Sequence, residues 1–129
     1  MTPEVQMLAA TGLLALTLTV IQAVRNVVVL GLTTAVGTQE DLPEWKGWHD
    51  RLNRALRNLI EATAIFAPIV IALILSNQTT DATGLGAQIF FGARVAHVIL
   101  FMAAIPFLRT MAWFVGVIGI GIVGWPLVT

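Results

Sequence analysis

The chain has 129 residues, of which 57% are hydrophobic and only 11% charged, where a soluble domain carries about 25% charge. Seven basic and seven acidic residues cancel, and there is no cysteine. Too little polar surface remains to cover a water-soluble fold. No basic surplus exists to hold a nucleic acid, and disulfides, thiolate metal sites and a cysteine nucleophile are excluded.

The chain opens "MTPEVQ", without the basic residues that begin a signal peptide, so its first apolar run reads as a retained span. From Val5 to Val24 only Gln6 and Gln22 are strongly polar, and the helix is expected to continue past Arg25 and Asn26 to about residue 33. The segment "GTQEDLPEWKGWHD" follows as a loop, with its glycines, proline and acidic residues. The second span is expected over about residues 50–76: Leu59 to Leu75 is apolar except for Glu61, and the helix is expected to begin near Asp50. Pro68 should kink it and free the carbonyl four residues earlier. After the short polar loop "SNQTTDATG", a third span is expected over about 85–106, interrupted by Arg94 and His97. A turn at Pro106 leads to a fourth over about 109–128, uncharged from Met111 onward. Each is near the roughly 20 residues needed to cross the hydrocarbon layer. The expected fold is all-α: one integral membrane four-helix bundle over residues 1–129. Neither His49 nor His97 has neighbours at metal-ligand spacing, so no metal is expected.

Orientation follows from the basic residues. Arg25, Lys46, Arg51, Arg54 and Arg57 surround the first loop and Arg109 lies at the third, while the second loop and both ends carry none. Both basic loops are expected to face the cytoplasm, with both termini outside. Trp45, Trp48 and Trp113 would mark the cytoplasmic interface and Trp125 the other.

The stretch "RLNRALRNLIEATAIFAPIV" carries charge into an apolar helix. On a helical wheel Arg51, Arg54, Arg57, Asn58 and Glu61 fall within an arc of about 120°. Arginines at a helix end often snorkel and only fix topology, which suffices for Arg51. It does not explain an acid and an amide on the same face as Arg54 and Arg57. An ionised carboxylate facing lipid costs at least ~2.5 kcal/mol, so the stripe is expected to line a protein interior. Such a cavity suits an anionic ligand, because guanidinium presents a planar fork to carboxylates. Arg57 and Glu61, four apart, could pair. In the third span Arg94, His97 and Phe101 share a face, and Arg94 needs an acid, for which Glu61 is a candidate partner, in this subunit or another. A lone membrane histidine is equally well read as an interhelical hydrogen-bond partner. A four-span cation exporter would need a carboxylate in its first span, and Val5–Val24 has none.

"RALRNLIE" (54–61), "FFGARVAHVILF" (90–101) and "LRTMAWFVG" (108–116) together resemble the MAPEG family, the membrane-associated proteins in eicosanoid and glutathione metabolism. The resemblance covers nearly the whole chain in span order and loop lengths. It implies a four-helix protomer, a homotrimer, and glutathione as cosubstrate bound between subunits near the cytoplasmic side. Carried over, Arg57, Asn58 and Glu61 are similar to the family's glutathione-contacting set, and Arg54 to its leading arginine. Arg25 stands where the family places a ligand arginine at the end of helix one, and His97 matches a histidine of helix three. Arg109 matches the arginine credited with stabilising the glutathione thiolate. The implied function is a glutathione transferase or peroxidase acting on lipophilic substrates. A short chain without retention signals suits a bacterial inner membrane, among its lipids. Catalytic members hold glutathione with tyrosines; this chain has none, and Ala96 and Phe101 stand at two of those positions. The alternative is a non-catalytic protein that binds an anionic lipid or other ligand in the same cavity.

Overall fold

A computed structural model describes residues 1–40 and 42–129. Four helices in it are long and apolar enough to cross a membrane. They are α1 (Pro3–Leu30), α3 (Trp48–Leu75), α4 (Asp81–Met102) and α5 (Pro106–Val128), with a short α2 (Leu32–Val36) following α1. The architecture is an all-α membrane bundle.

Local chemistry fixes the ends. The Thr2 hydroxyl accepts from the Val5 N–H and Pro3 occupies the first turn of α1, where a missing N–H costs nothing. Glu4 therefore falls inside the helix, although the sequence reading began the span one residue later. The expected continuation to residue 33 is interrupted at Gly31, whose φ of +85° is open to a residue without Cβ. α3 runs through Pro68, which offers no N–H to the Ala64 carbonyl. Thr80 and Thr83 form a reciprocal capping box at the start of α4. That helix ends at Met102, short of the expected residue 106, because Ala104 turns to a φ of +59° and Pro106 opens α5.

α4 and α5 touch backbone to backbone. A Cβ placed on Gly119 would stand 2.7 Å from the Gly86 carbonyl oxygen and 2.8 Å from the Phe90 nitrogen. In lipid, where apolar surface gains little by burial against another helix, close approach of this kind supplies the packing energy. One core cluster joins Phe66, Val70, Ala87, Phe90 and Val123, with the Phe66 and Phe90 rings stacked at 4.0 Å. A second joins Leu18, Leu52, Leu56, Leu59 and Val98 on the arginine-bearing half.

α1 is attached differently. Its fully buried residues are Glu4, Thr11, Leu18 and Arg25, one every seven positions, so it meets the bundle along one seam, with Met7, Leu8, Leu14 and Ala15 half-buried beside it. Both ends of that seam are polar. Thr83 Oγ1 donates to Glu4 Oε1 at 2.6 Å, and Arg25 Nη1 donates to the His49 carbonyl at 2.9 Å. The remaining face of α1, with Leu13, Leu16, Val20 and Val24, is exposed, as a lipid-facing surface requires.

Candidate functional site

The polar stripe of α3 faces three neighbours at successive levels. Arg51 comes first: its Nε donates to the Met102 carbonyl at 3.1 Å, closing an orphan acceptor at the end of α4. Next, Arg54 Nε donates to Asp50 Oδ2 at 2.8 Å on an exposed surface, the one ion pair among the described residues. Asn53 Oδ1 accepts from Gln22 Nε2 at 2.9 Å, tying α3 to α1. Arg57 and Glu61 are exposed on the protomer, and among the described residues no ion pair joins them.

Asn58 turns inward. Its Oδ1 accepts from Arg94 Nη2 on α4, so within one protomer Arg94 takes the amide rather than Glu61. Arg94 is 2% exposed and His97 3%, and His97 Nδ1 lies 3.5 Å from Arg94 Nη2. Guanidinium only donates, so a bond there puts the His97 proton on Nε2. Arg94 Nε is buried and has no hydrogen-bond partner among the described residues. The His97 ring packs at 5.6 Å from Phe101, and Arg109 Cζ from α5 stands 4.7 Å over the Phe101 ring. A continuous line of contacts thus runs Asn58, Arg94, His97, Phe101, Arg109, across three helices.

Two cavities border this line, and a groove adjoins the first through Glu61. Asn58, Glu61, Phe90, Arg94, Trp113 and Gly116 line one of about 220 Å³ between α3, α4 and α5. Asp50, Arg51, Arg54, Phe101 and Arg109 line another of about 320 Å³, with three guanidinium groups against one carboxylate. Gln22, Asn53, Arg57 and Glu61 line a groove of about 420 Å³ on the α1 side of α3. Glu61 stands on the ridge between the first and the third.

Seven of the eight residues singled out from sequence border these cavities or touch a residue that does. Arg25 stands apart. It is buried, donates to His49 O and to Asn26 Oδ1, and lies 4.0 Å over the Trp45 ring, fastening the α1–α3 corner. Sequence reasoning assigned Arg51 to the headgroups, whereas it holds the end of α4 beside Arg109; its spacing of three from Arg54 was the available signal. Phe90, Trp113 and Gly116 also line the 220 Å³ cavity; the spacing of Phe90 and Gly116 is that of packing residues, and Trp113 reads from sequence only as an interface marker.

A model of the MAPEG family matches residues 7–128 of the chain. Comparison with curated proteins and with solved structures finds no significant match.

Proposed function

The chain belongs to the MAPEG family, and on that premise we propose that it is a membrane-embedded glutathione-binding protein, a transferase or peroxidase for lipophilic electrophiles. The observation that carries the reading is buried Arg94, bonded to Asn58 and set beside Glu61 at a cavity, one level from Arg51, Arg54 and Arg109. Glutathione is an anionic tripeptide, and several guanidinium forks in a partly desolvated space suit its carboxylates. In this reading Arg54, Arg57, Asn58, Glu61, Arg94 and His97 form the binding set. Arg25 acts by holding the α1–α3 corner.

Arg109 faces the thiol. A nearby cation lowers a thiol pKa from about 8.5 and raises the thiolate fraction. The thiolate sulfur bonds to the electrophilic carbon while the leaving group departs with its electron pair. On a lipid hydroperoxide, two glutathione molecules supply two electrons, and the products are an alcohol, water and glutathione disulfide. The lipophilic partner enters from the bilayer.

We place the complete site in a homotrimer. Arg57 and Glu61 lie within a membrane-spanning helix yet are exposed on the isolated protomer. An ionised group facing lipid there is costly, and a neighbouring copy would cover it. In this reading the basic loops face the cytoplasm, as their charge favours, and the membrane is a bacterial inner membrane.

The test is conjugation of a chloronitrobenzene, or reduction of a lipid hydroperoxide, by purified protein with glutathione. A rate above the detergent blank that falls in Arg109→Ala supports the proposal; a rate equal to the blank counts against it. A second reading has an observation of its own: Phe101 meets Arg109 with a ring face, where no hydroxyl can hold glutathione. The cavity would then hold an anionic lipid headgroup without turnover. A ligand at 100 times its Kd stabilises by about 2.7 kcal/mol, so melting with glutathione against melting with anionic lipid separates the two.

A further inference from the structure

At the end of the bundle opposite the arginines, Glu4 is 1% exposed in the first turn of α1. Thr83 accounts for one of its oxygens. The other, Oε2, is buried with no hydrogen-bond partner, a costly state for a carboxylate. Glu4 also lines a cavity of about 340 Å³ with Thr2, Thr80, Asp81, Gly84 and Gln88. Among the described residues no lysine or arginine borders it. Gly84 lets α1 approach α4 closely at its edge: a Cβ there would stand 3.3 Å from the Pro3 side chain and 3.6 Å from Glu4 Oε1.

Acids in the first turn of a helix ordinarily complement its dipole. That accounts for Asp81, which is exposed at the start of α4. It does not account for Glu4 Oε2, since a dipole interaction needs no burial and leaves no oxygen without a donor. The missing partner is a donor or a cation. A hard divalent ion takes six or more oxygens, and among the described residues no group of three or more His, Cys, Asp or Glu is placed to hold a metal. An ammonium group needs less: it carries three donors and no acceptor. Two carboxylates with hydroxyl and amide oxygens around them supply what it requires.

We propose that this cavity binds a primary ammonium group, with Glu4 and Asp81 as its carboxylate acceptors. The cavity lies at the helix ends, where the bilayer meets water, so the group comes either from an ethanolamine phospholipid or from a small free amine. The site is independent of the arginine cluster.

The experiment is thermal melting of the full chain in phosphatidylglycerol nanodiscs, with free ethanolamine, phosphatidylethanolamine, phosphatidylcholine or calcium added separately. Free ethanolamine or phosphatidylethanolamine should raise the melting temperature, and whichever does so identifies the source. Phosphatidylcholine, whose quaternary nitrogen has no N–H, should not. Glu4→Gln and Asp81→Asn should each weaken half-saturation about tenfold, the value of one charge-assisted hydrogen bond. Should Glu4→Gln fail to fold, Asp81→Asn, at an exposed position, decides alone. The proposal is overturned if neither amine raises the melting temperature, if phosphatidylcholine does so equally, if calcium alone does, or if folded variants respond like the parent.

Discussion

Asn58 on α3 accepts a hydrogen bond from the guanidinium of Arg94 on α4, an arginine only 2% exposed. An amide spreads no countercharge, so the cation is oriented without being neutralised. A carboxylate in the same place would have made a closed ion pair. The arrangement leaves positive charge directed at the cavity that Glu61 and Trp113 share.

Removing that acceptor should be costly. Asn58→Leu leaves a buried guanidinium with fewer partners still, at about 2 kcal/mol. The variant should lose a corresponding amount of thermal stability in detergent, and Asn58→Asp should recover it. Equal melting of Asn58→Leu and the parent would show that Arg94 is held by something else.

Gly119 and Gly121 offer a paired contrast. Gly119→Ala drives a methyl into the Gly86 carbonyl and the Phe90 backbone, where neither neighbour can yield as a side chain does, and should destabilise by about 2 kcal/mol or more. Gly121 has nothing within 4 Å of an added Cβ, so Gly121→Ala should leave stability unchanged or slightly raised. Melting of the two variants in the same detergent checks the difference.

Under the glutathione reading, Arg109→Ala should slow conjugation roughly a hundredfold, the usual consequence of removing one group that stabilises developing charge. Arg109→Lys should recover only part of the rate, because lysine lacks the planar face that lies over Phe101. Phe101→Tyr adds a hydroxyl and should tighten glutathione about fivefold, the worth of roughly 1 kcal/mol. Initial rates over a glutathione titration give all three.

Exposed Glu61 bears on assembly. If a second copy covers it, native mass spectra of the parent should show a trimer, and Glu61→Gln with Arg57→Ala should shift it toward monomer. Ser76→Ala, far along the same helix and exposed, is the control and should leave the trimer intact. A parent that stays monomeric at all detergent concentrations would sink the trimeric reading.

The spans were legible because lipid imposes a length and a composition on any helix that crosses it. Their ends were less so. The break at Gly31 depends on one φ, and an apolar run on both sides of it conceals the turn. The polar stripe on α3 was legible from spacing alone, but its partners were not. Whether Arg94 meets Asn58 or Glu61 depends on how far α4 is rotated and how high it sits, and a gap of one helical turn decides it. Glu4 was missed for a different reason. The apolar pattern begins only at Val5, while the helix starts where Thr2 and Pro3 allow it to.

The single seam of α1 has a consequence for traffic through the protein. Between the polar contacts of Glu4 and Arg25 at its two ends, the middle of α1 is held mainly by apolar packing of Met7, Leu8, Leu14, Ala15 and Leu18, which gains little from burial in lipid. α4 and α5, by contrast, are locked through Gly86 and Gly119. Under the glutathione reading, a greasy molecule dissolved in the acyl chains would enter alongside α1, toward the groove that Gln22 and Glu61 line.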